Sequence, residues 1–198
     1  MDLTLPERWL DPEAYDEAWG ERSDLLLKMF AGRQDVARDW SFSEYGCGVH
    51  SPFFRAAEPY PGYTVHRYDM KSWTGDVRVC DLNTPDFDVS QTDVCVLSGV
   101  CEYLDQIDRT LHRLNLFHDH FLLSYAIFPS SDGIASLRRN TNEWTVEMIR
   151  QRAVTNGWRN HHTLQEIVKI TSTIGHISDI RTWAGQVLVY VRSRRYST

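Results

Sequence analysis

The stretch SEYGCGVHSPFFRAAEP, Ser43 to Pro59, decides the fold. A short strand-like run, Trp40 to Tyr45, ends in two glycines, Gly46 and Gly48, separated only by Cys47. Glycine at such a point allows positive φ and lets backbone approach a ligand closely. Ser51 has the chemistry of an N-cap, and Pro52 suits the first helical position, where its missing N–H is not needed. A helix therefore opens at Pro52 and ends by Pro59. Strand, glycine turn and helix in that order begin a β-α-β unit.

The same alternation continues in both directions. Tyr63 to Tyr68 alternates like a strand and ends at Asp69; Val77 to Cys80 is another and ends at Asp81. Asp93 to Ser98 is an apolar strand followed by Gly99. Val100, Tyr103, Leu104, Ile107, Leu111 and Leu114 then recur at helical spacing and predict a helix. His120 to Ala126 is the next strand. Upstream, residues 12–31 read as a helix with Tyr15, Trp19, Leu26, Leu27 and Phe30 as its apolar set. Downstream, a helix is predicted over 142–155, and Thr163 to Glu166 (TLQE) is a capping box for a helix that closes at Gly175. The runs HISDIRTW and QVLVYVR, joined by Ala184-Gly185, carry a hairpin signal. These elements predict an α/β fold: a mostly parallel seven-stranded sheet with helices on both faces and a C-terminal antiparallel hairpin strand.

Composition narrows the functional classes. The 198 residues suit one domain, and 42% hydrophobic with 24% charged residues is ordinary for a globular chain. A net charge of -6 argues against nucleic acid as a partner, because phosphates need a surplus of Lys and Arg. The basic run Arg192 to Arg195 reads as a solvated tail. Cys47, Cys80, Cys95 and Cys101 have no CxxC spacing, so neither a zinc knuckle nor a redox dithiol is expected. His118-Asp119-His120 reads as a helix-to-strand turn, and no metal is expected there or elsewhere. The acidic N-terminus lacks the apolar segment of a signal peptide, and no apolar run approaches the roughly 20 residues that span a bilayer. A cytoplasmic protein with no membrane span is expected.

In open α/β sheets ligands bind outside the carboxyl ends of the strands. Here those ends carry Gly46-Cys47-Gly48, then Asp69 with Met70, then Asp81 with Leu82, then Ser98-Gly99. A carboxylate after the second strand suits two ribose hydroxyls, and one after the third suits an exocyclic amine such as that of adenine. A dinucleotide site would want a third glycine or alanine where Ser51 stands, Pro52 crowds the helix start, and Asp81 and the terminal hairpin are left without a role.

These residues resemble the class I S-adenosylmethionine-dependent methyltransferases. The family's acidic residue, spacer and GxG look like Glu44-Tyr45-Gly46-Cys47-Gly48; its later acidic residues look like Asp69 and Asp81. The pattern after its fourth strand looks like Leu97-Ser98-Gly99-Val100-Cys101-Glu102-Tyr103-Leu104. The resemblance implies a Rossmann-like fold with S-adenosylmethionine as cofactor. The implied cofactor contacts are Glu44, Gly46, Cys47, Gly48, Asp69, Met70, Asp81, Leu82, Ser98, Gly99 and Tyr103. Glu44 would either orient the turn or hold the cofactor's amino group. The chain would divide into a helical lid (1–39), a cofactor half (40–128) and an acceptor-side segment with the hairpin (129–198).

The segment NGWRNHHT, Asn156 to Thr163, lies in the part of this fold that varies, so it is the candidate acceptor side. Trp158 is an expected apolar wall and Asn160 an expected contact, with His161 or His162 as general base. It also resembles segments of small methyltransferases associated with surface-polysaccharide assembly. Tyr15, Trp19 and Arg22 on the first helix would form a lid over the cofactor. The implied activity is O-methylation of a glycan sugar or small-molecule hydroxyl. N-methylation of a small amine remains the alternative in the same fold. A non-catalytic module is the other alternative, motivated by Val49-His50-Ser51 where the family often has a further glycine.

Overall fold

The computed structural model describes residues 15–35, 37–87, 89–128 and 146–197. Helix α1 (Glu17–Ala31) starts one residue after Asp16, whose carboxylate accepts from the Ala18 amide at 3.0 Å. Tyr15 therefore precedes the helix, and its side chain is half-exposed rather than part of the expected apolar face. Leu26, Leu27, Met29 and Phe30 do form that face and are fully buried.

After α1 come strand β1 (Trp40–Tyr45), helix α2 (Pro52–Ala57), and strands β2 (Tyr63–Asp69), β3 (Val77–Val79) and β4 (Val94–Leu97). A 3₁₀ turn (Cys101–Tyr103) and helix α3 (Ile107–Leu114) follow, then β5 (His120–Ala126). Helices α4 (Val146–Asn156) and α5 (Leu164–Ile174) lead into β6 (Gly175–Trp183) and β7 (Gln186–Ser193). Residues 12–14 and 142–145, expected to be helical, lie outside the described residues.

All seven strands form one sheet in the order β3-β2-β1-β4-β5-β7-β6. The pairs β1–β2, β2–β3, β1–β4 and β4–β5 are parallel, whereas β7 runs antiparallel to both β5 and β6. The hairpin inserts its last strand between β5 and β6, so β6 forms the edge. Its two-residue turn places Ala184 at φ 45° and Gly185 at φ 75°, the positive values that match the twist of paired strands. The chain moves outward from β1 to β3 and returns to β4 on the other side of β1. That reversal opens a crevice at the carboxyl ends of β1 and β4.

Alternate residues of the strands supply two cores. Phe42, Val94, Val96 and Leu122 face α1 and α2, while Cys95, Leu97, Phe121 and Leu123 face α3 and α5. Each such fully buried large side chain contributes about 1.5–3 kcal/mol. The strands are thus apolar on both faces, as a covered parallel sheet requires.

The helix predicted from Val100 onward is broken. Leu104 is extended (φ -82°, ψ 131°), and α3 restarts at Ile107. Side chains from elsewhere hold the break: Asn83 accepts from the Asp105 amide, and Asn160 donates to the Cys101 and Leu104 carbonyls. The Thr163–Glu166 capping box forms as expected at the start of α5.

Two histidines flanking the turn into β5 are core residues. His118 Nδ1 donates to the Thr92 carbonyl at 3.2 Å, which leaves Nε2 to accept from the Tyr45 hydroxyl at 3.0 Å. His120 Nδ1 lies 3.0 Å from the Tyr190 hydroxyl. Burial lowers the pKa of both to about 4.

Candidate functional site

The glycine turn after β1 is built around Glu44. Its carboxylate accepts from the Phe53 and Phe54 amides at 2.9 and 3.1 Å and so caps α2 from the strand. Ser51, the expected cap, instead sits in the left-handed region at φ 43°, and its hydroxyl accepts from Arg67 at 3.2 Å. Of the two roles open to Glu44, the geometry supports orienting the turn. Burial pushes its pKa to about 7, against the two amides, which favour the ionised form.

Gly46 and Gly48 both have positive φ, 64° and 59°. A Cβ on Gly46 would meet Val100 at 2.5 Å, whereas one on Gly48 would enter open space. Asp69, at the end of β2, accepts from the Gly48 amide at 2.7 Å and ties the two strand ends together. Burial raises its pKa, and the Gly48 amide opposes that rise. Asp81 accepts from the Asn83 amide at 2.9 Å. Asn83 in turn donates to the Tyr103 carbonyl at 3.1 Å and braces the facing rim.

These groups surround a cleft open to solvent. Of the implied cofactor contacts, Gly46, Gly48, Asp69, Met70, Asp81, Leu82, Gly99 and Tyr103 line it. Glu44, Cys47 and Ser98 do not: Glu44 and Cys47 are buried beneath the turn, and the Ser98 hydroxyl accepts from Arg22 Nε at 3.0 Å. Trp73, Asn83, Val100 and Leu104 also line the cleft and were not anticipated. Val100 and Leu104 stand in the quoted pattern after the fourth strand, and Trp73 is an aromatic side chain four residues beyond Asp69 in a turn.

A second cleft shares Gly99 and Tyr103 with the first. Trp19 and Trp158 line it, from α1 and from the loop after α4. Arg22, Glu102, Arg152 and Gln186 supply polar groups. Arg22 is pinned by Ser98 through both its hydroxyl and its carbonyl, and Nη1 lies 3.4 Å from Gln186. Burial lowers its pKa.

The structure does not bring the other acceptor-side candidates to this cleft. Tyr15 packs against His50, with ring centroids 4.9 Å apart. Asn160 is committed to backbone, and its side-chain oxygen accepts from the Tyr125 hydroxyl at 2.6 Å. His161 is exposed and packs on Phe128 at 4.8 Å. His162 faces Glu166 at 3.9 Å, and its amide donates to Tyr125. Neither histidine lines either cleft.

No family model and no curated protein matches the sequence. Solved structures do match in fold. An O-methyltransferase family protein from Burkholderia thailandensis superposes with a TM-score of 0.65 at 13% identity, over 92% of this chain and 59% of that one. The N-terminal domain of EvdMO1, crystallised with S-adenosylhomocysteine and D-fucose, gives 0.59 at 15% identity, over 90% of this chain and 84% of that one. The 1,6-didemethyltoxoflavin N1-methyltransferase of Burkholderia thailandensis gives 0.58 at 16% identity, over 90% of this chain and 79% of that one. This chain spans little more than half the length of the first of these. Strand order, antiparallel β7 and these superpositions agree: the chain has the fold of the class I methyltransferases.

Proposed function

We propose that this chain is an S-adenosylmethionine-dependent methyltransferase that acts on a hydroxyl of a small molecule or sugar. The observation that carries this reading is the pair of clefts meeting at Gly99 and Tyr103, beyond the carboxyl end of β4. One cleft suits the donor and the other the acceptor, and their shared border is where the methyl group would pass.

The first cleft fits the donor on its own residues. Gly48 leaves space that any side chain would occupy, so the amino-acid end can lie against backbone. Asp69 presents a carboxylate to ribose, Asp81 presents one to the adenine amine, and Met70 and Leu82 supply apolar contact. When bound, the donor supplies an electrophilic methyl carbon on a sulfonium that is already a good leaving group. The protein's part is then mainly to position the acceptor and exclude water.

Trp19 and Trp158 give the second cleft aromatic walls, and Arg22, Glu102 and Gln186 give it polar groups. That combination suits polyols, and D-fucose accompanies one structural neighbour. His161 and His162 lie outside both clefts, so transfer is expected to survive their joint replacement by Gln.

The test is calorimetric titration with S-adenosylhomocysteine, with NAD as control, on wild type and Asp69→Ala. Binding of S-adenosylhomocysteine alone is expected. Loss of a charge-assisted hydrogen bond, about 1.5–3 kcal/mol, weakens it roughly ten- to a hundredfold in the variant. Binding of neither ligand would favour the non-catalytic module, and binding of NAD alone would refute the reading of the turn.

A further inference from the structure

Glu102 stands in the pattern after the fourth strand but is not among the implied cofactor contacts. It follows β4 in the 3₁₀ turn, lines the second cleft and is 3% exposed. Its two carboxylate oxygens differ. Oε1 accepts from the Ala126 amide at 2.6 Å, at the end of β5. Oε2 is buried, and no donor among the described residues reaches it. A buried carboxylate oxygen without a hydrogen bond is destabilising by about 1–3 kcal/mol, so one held in a cleft wall is suited to a donor carried by a bound molecule.

The placement is also fixed rather than incidental. The Glu102 carbonyl accepts from the Arg159 amide at 2.8 Å, which docks the loop carrying Trp158. The next residue, Tyr103, borders both clefts. The carboxylate thus stands one residue from the border across which the methyl group would pass.

Resting on the methyltransferase reading, we propose that Glu102 is a catalytic residue: its Oε2 accepts the proton of the acceptor's hydroxyl, between the walls formed by Trp19 and Trp158. The proton moves from the acceptor oxygen to Oε2 while that oxygen bonds to the donor's methyl carbon. The carbon–sulfur pair returns to sulfur, and the proton later leaves Glu102 for solvent. The products are a methyl ether, S-adenosylhomocysteine and one proton.

The surrounding groups tune the carboxylate for this work. Burial raises its pKa; its own amide and the Ala126 amide oppose that rise, followed by Arg22 on α1 and Arg152 on α4. Cys101 and Tyr103 flank it in the turn, and Tyr125 faces it from β5.

Glu102→Gln tests the proposal, because the amide keeps the side chain's size and can still accept from Ala126. Three measurements are made on the whole chain. Calorimetry with S-adenosylhomocysteine is expected to give the same affinity for wild type and variant. Difference infrared spectra are expected to show a buried carboxyl group that loses its proton as pH rises, with this component absent from Glu102→Gln. Transfer from radiolabelled donor is measured to D-fucose, other monosaccharides and simple phenols. For whichever hydroxyl compound accepts, kcat of the variant is expected to fall at least about a hundredfold with KM little changed. The wild-type rate falls as pH drops through the Glu102 ionisation, and that limb is absent from the variant.

Retained kcat in Glu102→Gln would overturn the proposal. So would S-adenosylhomocysteine binding by a wild type that transfers to no hydroxyl compound. Failure to bind S-adenosylhomocysteine at all would refute the methyltransferase reading itself, and the role of Glu102 with it.

Discussion

Replacing Glu44 by Gln removes a charge while keeping the length of a side chain that is 1% exposed. The substitution separates two effects on its ionisation. Burial opposes the charged form, while the Phe53 and Phe54 amides and Arg67 favour it; burial wins and raises the pKa from 4.5 to about 7. The folded chain therefore binds a proton on Glu44 in a range where the unfolded chain has released it. Stability from this source is fully present below 4.5 and is lost as pH rises through about 7. The gap between those values corresponds to about 3 kcal/mol. Urea unfolding of wild type and Glu44→Gln across this range is the assay. The stability difference, wild type minus variant, is expected to fall by about 3 kcal/mol between the two ends. A difference that stays flat would refute the reasoning, because it would mean that the two amides and Arg67 hold the carboxylate ionised throughout. Both oxygens are engaged by α2, so S-adenosylhomocysteine affinity is expected to change far less than in Asp69→Ala.

His118 acts in the opposite sense: burial lowers its pKa from 6.5 to about 4, so the stability it confers is lost as pH falls across that range. His118→Gln is expected to remove that acid sensitivity, about 3 kcal/mol, from urea midpoints compared across the same range. Gly99→Ala places a Cβ 2.5 Å from Arg22 Nη2 at a backbone φ of 73°. The left-handed conformation and the disturbed Arg22–Ser98 pairing together should destabilise by about 3–4 kcal/mol in thermal unfolding. Asn160→Ala loses two bonds to backbone carbonyls, at Cys101 and Leu104. It should lower stability by about 2–3 kcal/mol and reduce transfer, with S-adenosylhomocysteine affinity nearly unchanged; a rise in KM alone would instead indicate direct acceptor contact.

The first cleft was largely legible in the sequence because it is assembled from short local signals. Each strand ends where its apolar alternation stops; Asp69 closes β2, and Gly46, Gly48, Asp81 and Gly99 follow their strands within three residues. Backbone geometry then delivers those residues to one end of the sheet whatever packs around them. Ser51 misled for the same local reason. It has good capping chemistry, but a carboxylate from β1 reached the helix amides first.

The second cleft was not legible. Trp158, His161 and His162 crowd one short segment, yet only Trp158 reaches the second cleft. The direction of each side chain there is set by partners far away in sequence: Phe128 for His161, Tyr125 and Glu166 for His162, and the broken helix after β4 for Asn160. Likewise, nothing near Glu102 in sequence shows that Ala126 takes one of its oxygens and leaves the other unanswered. The sequence by itself determined the order and kind of the elements, because hydrophobic period and turn chemistry act over a few residues. Only the tertiary structure decided which polar atoms were left without partners, because that depends on every chain segment that packs against them.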